Sequence, residues 1–204
     1  IAVKDKNYFN VDDVALEERK ADDLPFREYV PTIYYILRDA ATGAVVDESG
    51  LIEVKGDEQV LTLDLCPCIP HGRYELTVWG GLRDLEALSD DGLSLDLVHE
   101  GKAGDDVYMA SATVVYDAWN NNPVLELERT KGKLIVEMMW DNPASWIDAS
   151  RLSISGLFDD VNDDFSYYDM ATAGAEHRWT PGEHAVTKTV LAPSVKENGS
   201  VLTL

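Results

Sequence analysis

The sequence lacks any run of about 18 consecutive apolar residues, the length a helix needs to cross a bilayer, so no segment between Ile1 and Leu204 spans a membrane as a helix. It is also short of basic residues. Lys and Arg total 17 against 38 Asp and Glu, a formal net charge of −21. A surface of that sign repels phosphate backbones and anionic headgroups, which excludes nucleic acid as a partner. Catalytic signatures are missing too: there is no G-x-S-x-G, no H-E-x-x-H and no G-x-x-x-x-G-K-[ST]. The abundant acids form neighbouring pairs by composition alone, so adjacency says little about acid–base chemistry. No enzyme activity, cofactor or metal is expected.

Cysteine is scarce as well. Cys66 and Cys68 flank Pro67, and a spacing of two with a rigid residue between them is poor for an unstrained disulfide. The pair reads first as two thiols at a strand end. A strained redox or metal pair is the alternative, although C-x-C lacks the wider spacing and second ligand pair of a zinc site. The first residue is Ile1 rather than Met, so a processed N terminus is expected, with any signal peptide or lipid-bearing cysteine upstream of it.

What remains is an ordinary globular balance over 204 residues, 45% hydrophobic and 27% charged, too apolar for general disorder. Its dominant period is two. Residues 58–65 place Leu61, Leu63 and Leu65 on one face, and 74–79 place Tyr74, Leu76 and Val78 on one face. Pro67, Pro70 and Gly72 supply turn chemistry between them, so an antiparallel pair is expected. Further strands are expected at 32–38, 107–115, 124–128, 133–140, 152–157, 185–191 and 201–204. Few of the gaps hold a crossover helix, which favours an all-β, mainly antiparallel arrangement. Two short helices are expected, at 12–21 and over the Leu82, Leu85, Leu88 stripe.

Trp119-Asn120-Asn121-Asn122-Pro123 is the best seam, since three Asn before Pro favour turns. It divides the chain into domains 1–120 and 121–204, the second short for a sandwich and expected to lack a strand or to end early. The closing Ser200-Val201-Leu202-Thr203-Leu204 alternates like a strand. A sheet edge open to a strand from another chain is the consequence.

Ile69-Pro70-His71-Gly72-Arg73-Tyr74 leading through Trp79-Gly80-Gly81-Leu82 resembles a segment of the fimbrillin-associated anchor proteins of the Bacteroidetes, the FimB/Mfa2 type, in which a P-x-G-x-Y turn enters a strand ending W-G-G-L. Other segments follow in the family's order: 34–43 as its first core strand and hairpin, 97–101 as its L-x-H-G segment with Glu100 inserted, and 125–136 as its L-x-R strand. Residues 152–156 and 201–204 also fit. The Lys131-Gly132 pair departs from it, standing where the family has a more apolar step. The resemblance implies two transthyretin-like, Greek-key β-sandwich domains. It also implies export to the cell surface as an outer-membrane lipoprotein whose lipid anchor precedes Ile1, and a non-enzymatic role in anchoring or assembling fimbriae. Its partners would be fimbrial subunit proteins, engaged by strand complementation.

Three clusters invite other readings. Trp119 and Trp146 lie beside Asn and Pro in loops and are the candidate aromatic platform for a sugar ring or partner protein. This is the basis of the alternative function, a surface lipoprotein carbohydrate-binding module. The acidic run 159–164 lacks the calcium-loop pattern and reads as a solvated hairpin loop. Glu176-His177 and Glu183-His184 flank a Pro-Gly turn; if that turn closes a hairpin the histidines approach, but no third zinc ligand is evident.

Overall fold

The computed structural model describes residues 1–7, 19–119, 123–138, 149–178, 185–191, 193 and 199–203. In chain order the elements are β1 (Ala2–Val3), α1 (Phe26–Tyr29), β2 (Thr32–Asp39), β3 (Val45–Glu48), β4 (Ile52–Glu53), β5 (Gly72–Gly80) and β6 (Ser94–Asp96). They continue with β7 (Tyr108–Tyr116), β8 (Glu126–Arg129), β9 (Gly132–Met138), β10 (Ala149–Asn162), β11 (Tyr167–Arg178), β12 (Ala185–Leu191) and β13 (Val201–Thr203). The chain is an all-β fold of open sheets, as expected. The described ladders are antiparallel except the short β1–β8 pair.

Two compact units divide the chain: Ile1–Leu93 with Asp106–Thr130, and Ser94–Asp105 with Lys131–Leu204. The Trp119–Pro123 seam thus lies inside the first unit, because β8 beyond it pairs with β7 and β1. Residues 94–105 join the second unit, where β6 pairs with β10.

The first unit is one sheet in the order β1-β8-β7-β5-β2-β3, with β4 also on β2. Alternation fixes its buried face: Ile33, Tyr35 and Leu37 of β2, Tyr74, Leu76 and Val78 of β5, and Tyr108, Ala110 and Val114 of β7. The layer over this face is not a second ladder. Ile1, Phe26, Tyr29 and Ile69 cover it, joined by half-buried Leu61, Leu63 and Leu65. The strand expected at 58–65 is therefore an extended run without its own sheet place. Its expected neighbour β5 already has both edges filled, by β2 and β7. The leucines still share one face, and Leu61 exchanges two backbone hydrogen bonds with Ile1.

The W-G-G-L segment has a packing explanation. Trp79 is fully buried on the opposite sheet face and donates from Nε1 to the Gly92 carbonyl at 2.9 Å. A Cβ on Gly80 would sit 2.5 Å from Val30 Cγ1, and one on Gly81, whose φ is +87°, would sit 2.4 Å from the Asp106 carbonyl oxygen. Only glycine fits both demands at Gly81. Leu82 is buried, but the expected helix over Leu82, Leu85 and Leu88 does not form. Asp84 accepts the Glu86 N–H and Leu88 donates to the Leu85 carbonyl, so local turns satisfy the backbone instead. Pro25 stands at the N-cap of the single turn of α1, where its carbonyl accepts the Glu28 N–H at 3.0 Å. The helix expected at 12–21 lies largely outside the described residues.

The second unit is built on the β10–β11 hairpin, with β13 and β6 on the other side of β10 and a separate β9–β12 pair. A bulge between Ser155 and Leu157 shifts the register of β10. Its buried positions change parity there, from Leu152 and Ile154 to Leu157 and Val161, which keeps all four toward the core. β11 was not expected from the sequence. Ala171-Thr172-Ala173-Gly174-Ala175 carries little strand propensity, and its pairing along β10 imposes the conformation.

Candidate binding site

Trp119 stands at the end of β7, where Asp117 Oδ1 accepts the Trp119 backbone N–H at 2.7 Å. That turn leaves the indole 90% exposed. The other member of the expected platform, Trp146, lies outside the described residues. Three residues before Trp119, Tyr116 packs edge-on against His71 with ring centroids 5.1 Å apart.

Tyr116 also borders a cavity of about 290 Å³ within the first unit. Its floor is the sheet face at Leu37, Leu76 and Val114, and its roof is the extended run through Leu63, Leu65 and Cys66-Pro67. Beside the roof, Asp47 Oδ2 accepts the Tyr35 hydroxyl at 3.0 Å and the Cys66 N–H at 3.4 Å. Burial first, then the bond to the Asp47 carboxylate, pushes the Tyr35 phenol up to about 12. The arrangement suits apolar groups and offers no nucleophile paired with a base.

Cys66 and Cys68 are bonded to each other, with Cα atoms 5.2 Å apart. This corrects the reading of two free thiols: the Cα spacing falls inside the range a disulfide accepts despite Pro67. The metal alternative finds no support, since among the described residues no three His, Cys, Asp or Glu side chains converge.

In the second unit, Asp159 and Asp160 belong to β10 rather than to the acidic loop expected at 159–164, and only the turn after Asn162 remains loop. Burial raises both carboxyls from their ordinary value, with Asp96 and Asp169 adding to it at Asp159, and Asp159, Asp96 and Asp169 at Asp160. Asp96 also contacts His99 Nδ1 at 3.0 Å. Glu100, the inserted residue, takes a left-handed φ of 52° in the turn His99–Gly101. The Lys131 side chain is buried. Its Nζ donates to the carbonyls of Leu97 and Ala103 at 2.8 and 2.9 Å, which holds 97–103 against the unit and gives the ammonium the partners burial demands.

His177 is in β11, opposite Ser150. Among the described residues β11 pairs with β10 and β12 with β9, and no ladder joins the two strands on either side of the Pro-Gly sequence. His184 lies outside the described residues. Sheet edges remain. Among the described residues β13 pairs with β10 through Ser153, Ile154 and Ser155, and its Val201 is 59% exposed. Among the described residues β11 has a ladder partner on one side alone.

No protein-family model matches the sequence, and no curated protein matches it significantly. Solved structures do. A candidate adhesin from Bacteroides ovatus aligns with a TM-score of 0.61 at 11% identity, over 87% of this chain and 66% of its own. Another from Bacteroides thetaiotaomicron aligns with a TM-score of 0.57 at 15% identity, over 87% and 69%. A candidate polysaccharide-binding protein from the same organism follows with a TM-score of 0.52 at 16% identity, over 85% and 67%. The fimbrial anchor protein Mfa2 from Porphyromonas gingivalis aligns more loosely, with a TM-score of 0.41 at 15% identity, over 86% and 74%. This chain spans about two thirds of the length of the structures it matches. It has the all-β fold of these Bacteroides candidate adhesins.

Proposed function

We propose that this chain is part of a non-enzymatic cell-surface protein, an anchor or accessory subunit of a fimbria that acts in assembly and adhesion through strand complementation. The observation that carries the reading is the fold shared with the Bacteroides candidate adhesins, read with the ordered W-G-G-L and strand segments of the sequence. The two units serve as its two domains, divided at 93/94, 105/106 and 130/131 rather than once at 120/121. Export as an outer-membrane lipoprotein, with the lipid upstream of Ile1, completes the reading.

The short β13 supplies the chemistry of assembly. A donated strand satisfies edge N–H and C=O groups, and its alternate side chains fill an apolar surface. On β10 that surface is Leu152 and Ile154, beside the three-residue ladder to β13. Crosslinking on intact cells followed by affinity capture tests the whole proposal. Fimbrial subunits are expected in the captured complex; recovery of only a soluble intracellular monomer would overturn it.

A second reading, a carbohydrate-binding module, is favoured by one observation: Trp119 is 90% exposed. The fold shared with a candidate polysaccharide-binding protein is compatible with it. Fluorescence titration with polysaccharides separates the two readings, since silence toward every glycan removes this one.

A further inference from the structure

The Cys66–Cys68 disulfide plays no part in strand complementation, and its position gives it a use of its own. Both cysteines belong to one exposed loop, so the bond ties no two elements together. A loop of three residues has little chain entropy to remove. The loop has other supports: Ile69 donates its N–H to the Cys66 carbonyl at 3.1 Å, and Cys66 donates to Asp47 Oδ2 at 3.4 Å. The fold therefore adds little to the stability of the bond, while solvent reaches Cys66, Pro67 and Cys68 alike. Exposed disulfides of this kind are the exchangeable ones.

We propose that Cys66–Cys68 is a thiol-exchange site on the rim of the first unit's cavity. In the first step a small thiolate attacks one sulfur. Its bond to that sulfur forms as the Cys66–Cys68 bond breaks, and the other cysteine leaves as a thiolate that takes up a proton. In the second step another thiolate attacks the small-molecule sulfur of the mixed disulfide; the new sulfur–sulfur bond releases the small-molecule disulfide as the bond to the protein breaks, and that cysteine leaves as a thiolate that takes up a proton. Two electrons have then passed from two external thiols to the protein pair. Asp64 is exposed in the same run, between Leu63 and Leu65 and just ahead of Cys66, and Asp47 lies against Cys66. Those carboxylates repel an anionic thiol and attract a cationic one, so the substrate class is a small aminothiol. The exchange takes place where the cavity's roof, the run through Leu63 and Leu65, turns toward Ile69.

The test uses the native, air-oxidised protein, with cysteamine and glutathione added in parallel at millimolar concentration. Acid quenching, alkylation and mass spectrometry then read disulfide, mixed disulfide and dithiol. The expected result is reduction without unfolding, with a mixed disulfide on the way. Cysteamine should react several-fold faster than glutathione after correction for thiolate fraction, a preference that fades at high salt. A Cys66→Ser/Cys68→Ser variant of unchanged circular dichroism should form no mixed disulfide. Reduction only after denaturation, or two thiols that diamide fails to join in the native protein, would overturn the proposal. Neither result bears on the adhesion reading, which the crosslinking experiment decides separately.

Discussion

Gly81→Ala isolates the packing demand behind the W-G-G-L segment. Two costs add at this position. Its φ of +87° lies in the left-handed region, which costs a residue with a Cβ about 1–2 kcal/mol. The new Cβ would also lie 2.4 Å from the Asp106 carbonyl oxygen. That atom is backbone and cannot swing aside, so relief requires a shift of the chain at the start of β7, an overpacking cost of about 1–3 kcal/mol. The sum is about 2–5 kcal/mol. Gly43→Ala is the matched control, because Gly43 has a φ of +72° and no atom within 4 Å of its would-be Cβ. Both substitutions restrict the unfolded chain alike, so that contribution cancels in the comparison. Native-state hydrogen exchange on the amides of β2, β5 and β7 reports the opening of this unit alone. Gly81→Ala should lower that opening free energy by about 1–3 kcal/mol more than Gly43→Ala does. Equal effects would refute the close approach of Gly81 to Asp106 and, with it, the packing account of the motif.

Three further outcomes follow from the same geometry. Leu63→Ala should destabilise the first unit by about 1 kcal/mol, since the side chain is only half-buried, and should speed protease cleavage within 59–69; an unchanged cleavage rate would contradict the packing of the roof. Trp119→Ala should leave the thermal midpoint unchanged, because the indole is exposed, while abolishing any glycan-dependent fluorescence change if the carbohydrate reading holds. Asp160→Asn tests the raised carboxyls of the second unit. A carboxyl whose folded pKa lies above its unfolded value makes folding less favourable as pH rises between the two. The substitution should therefore raise the midpoint at pH 7, and the gain should shrink as pH falls through the raised value toward 3.8, the ordinary carboxyl value. A gain that persists unchanged at pH 3 would contradict the assignment.

The sequence by itself determined the all-β class and most of the strands, because period-two burial is a local signal that any sheet must obey. Ile33, Tyr35 and Leu37, like Tyr74, Leu76 and Val78, share a buried face as the alternation requires. It also determined that Leu61, Leu63 and Leu65 act together. Only the tertiary structure decided that they roof a sheet instead of joining one, since that depends on which strands occupy both edges of β5. Partner choice likewise decided β11, whose Ala-rich middle is a strand because β10 lies beside it. The same holds for the placing of β8 in the first sheet and of 94–105 in the second unit. For the candidate site, Trp119 was legible as a loop tryptophan, but its near-complete exposure came from the turn at Asp117. Spacing alone argued against the Cys66–Cys68 bond, and the backbone path through Pro67 brought the two residues within reach. Periodicity says which side chains share a face; what lies across from that face is a long-range choice that no local pattern encodes.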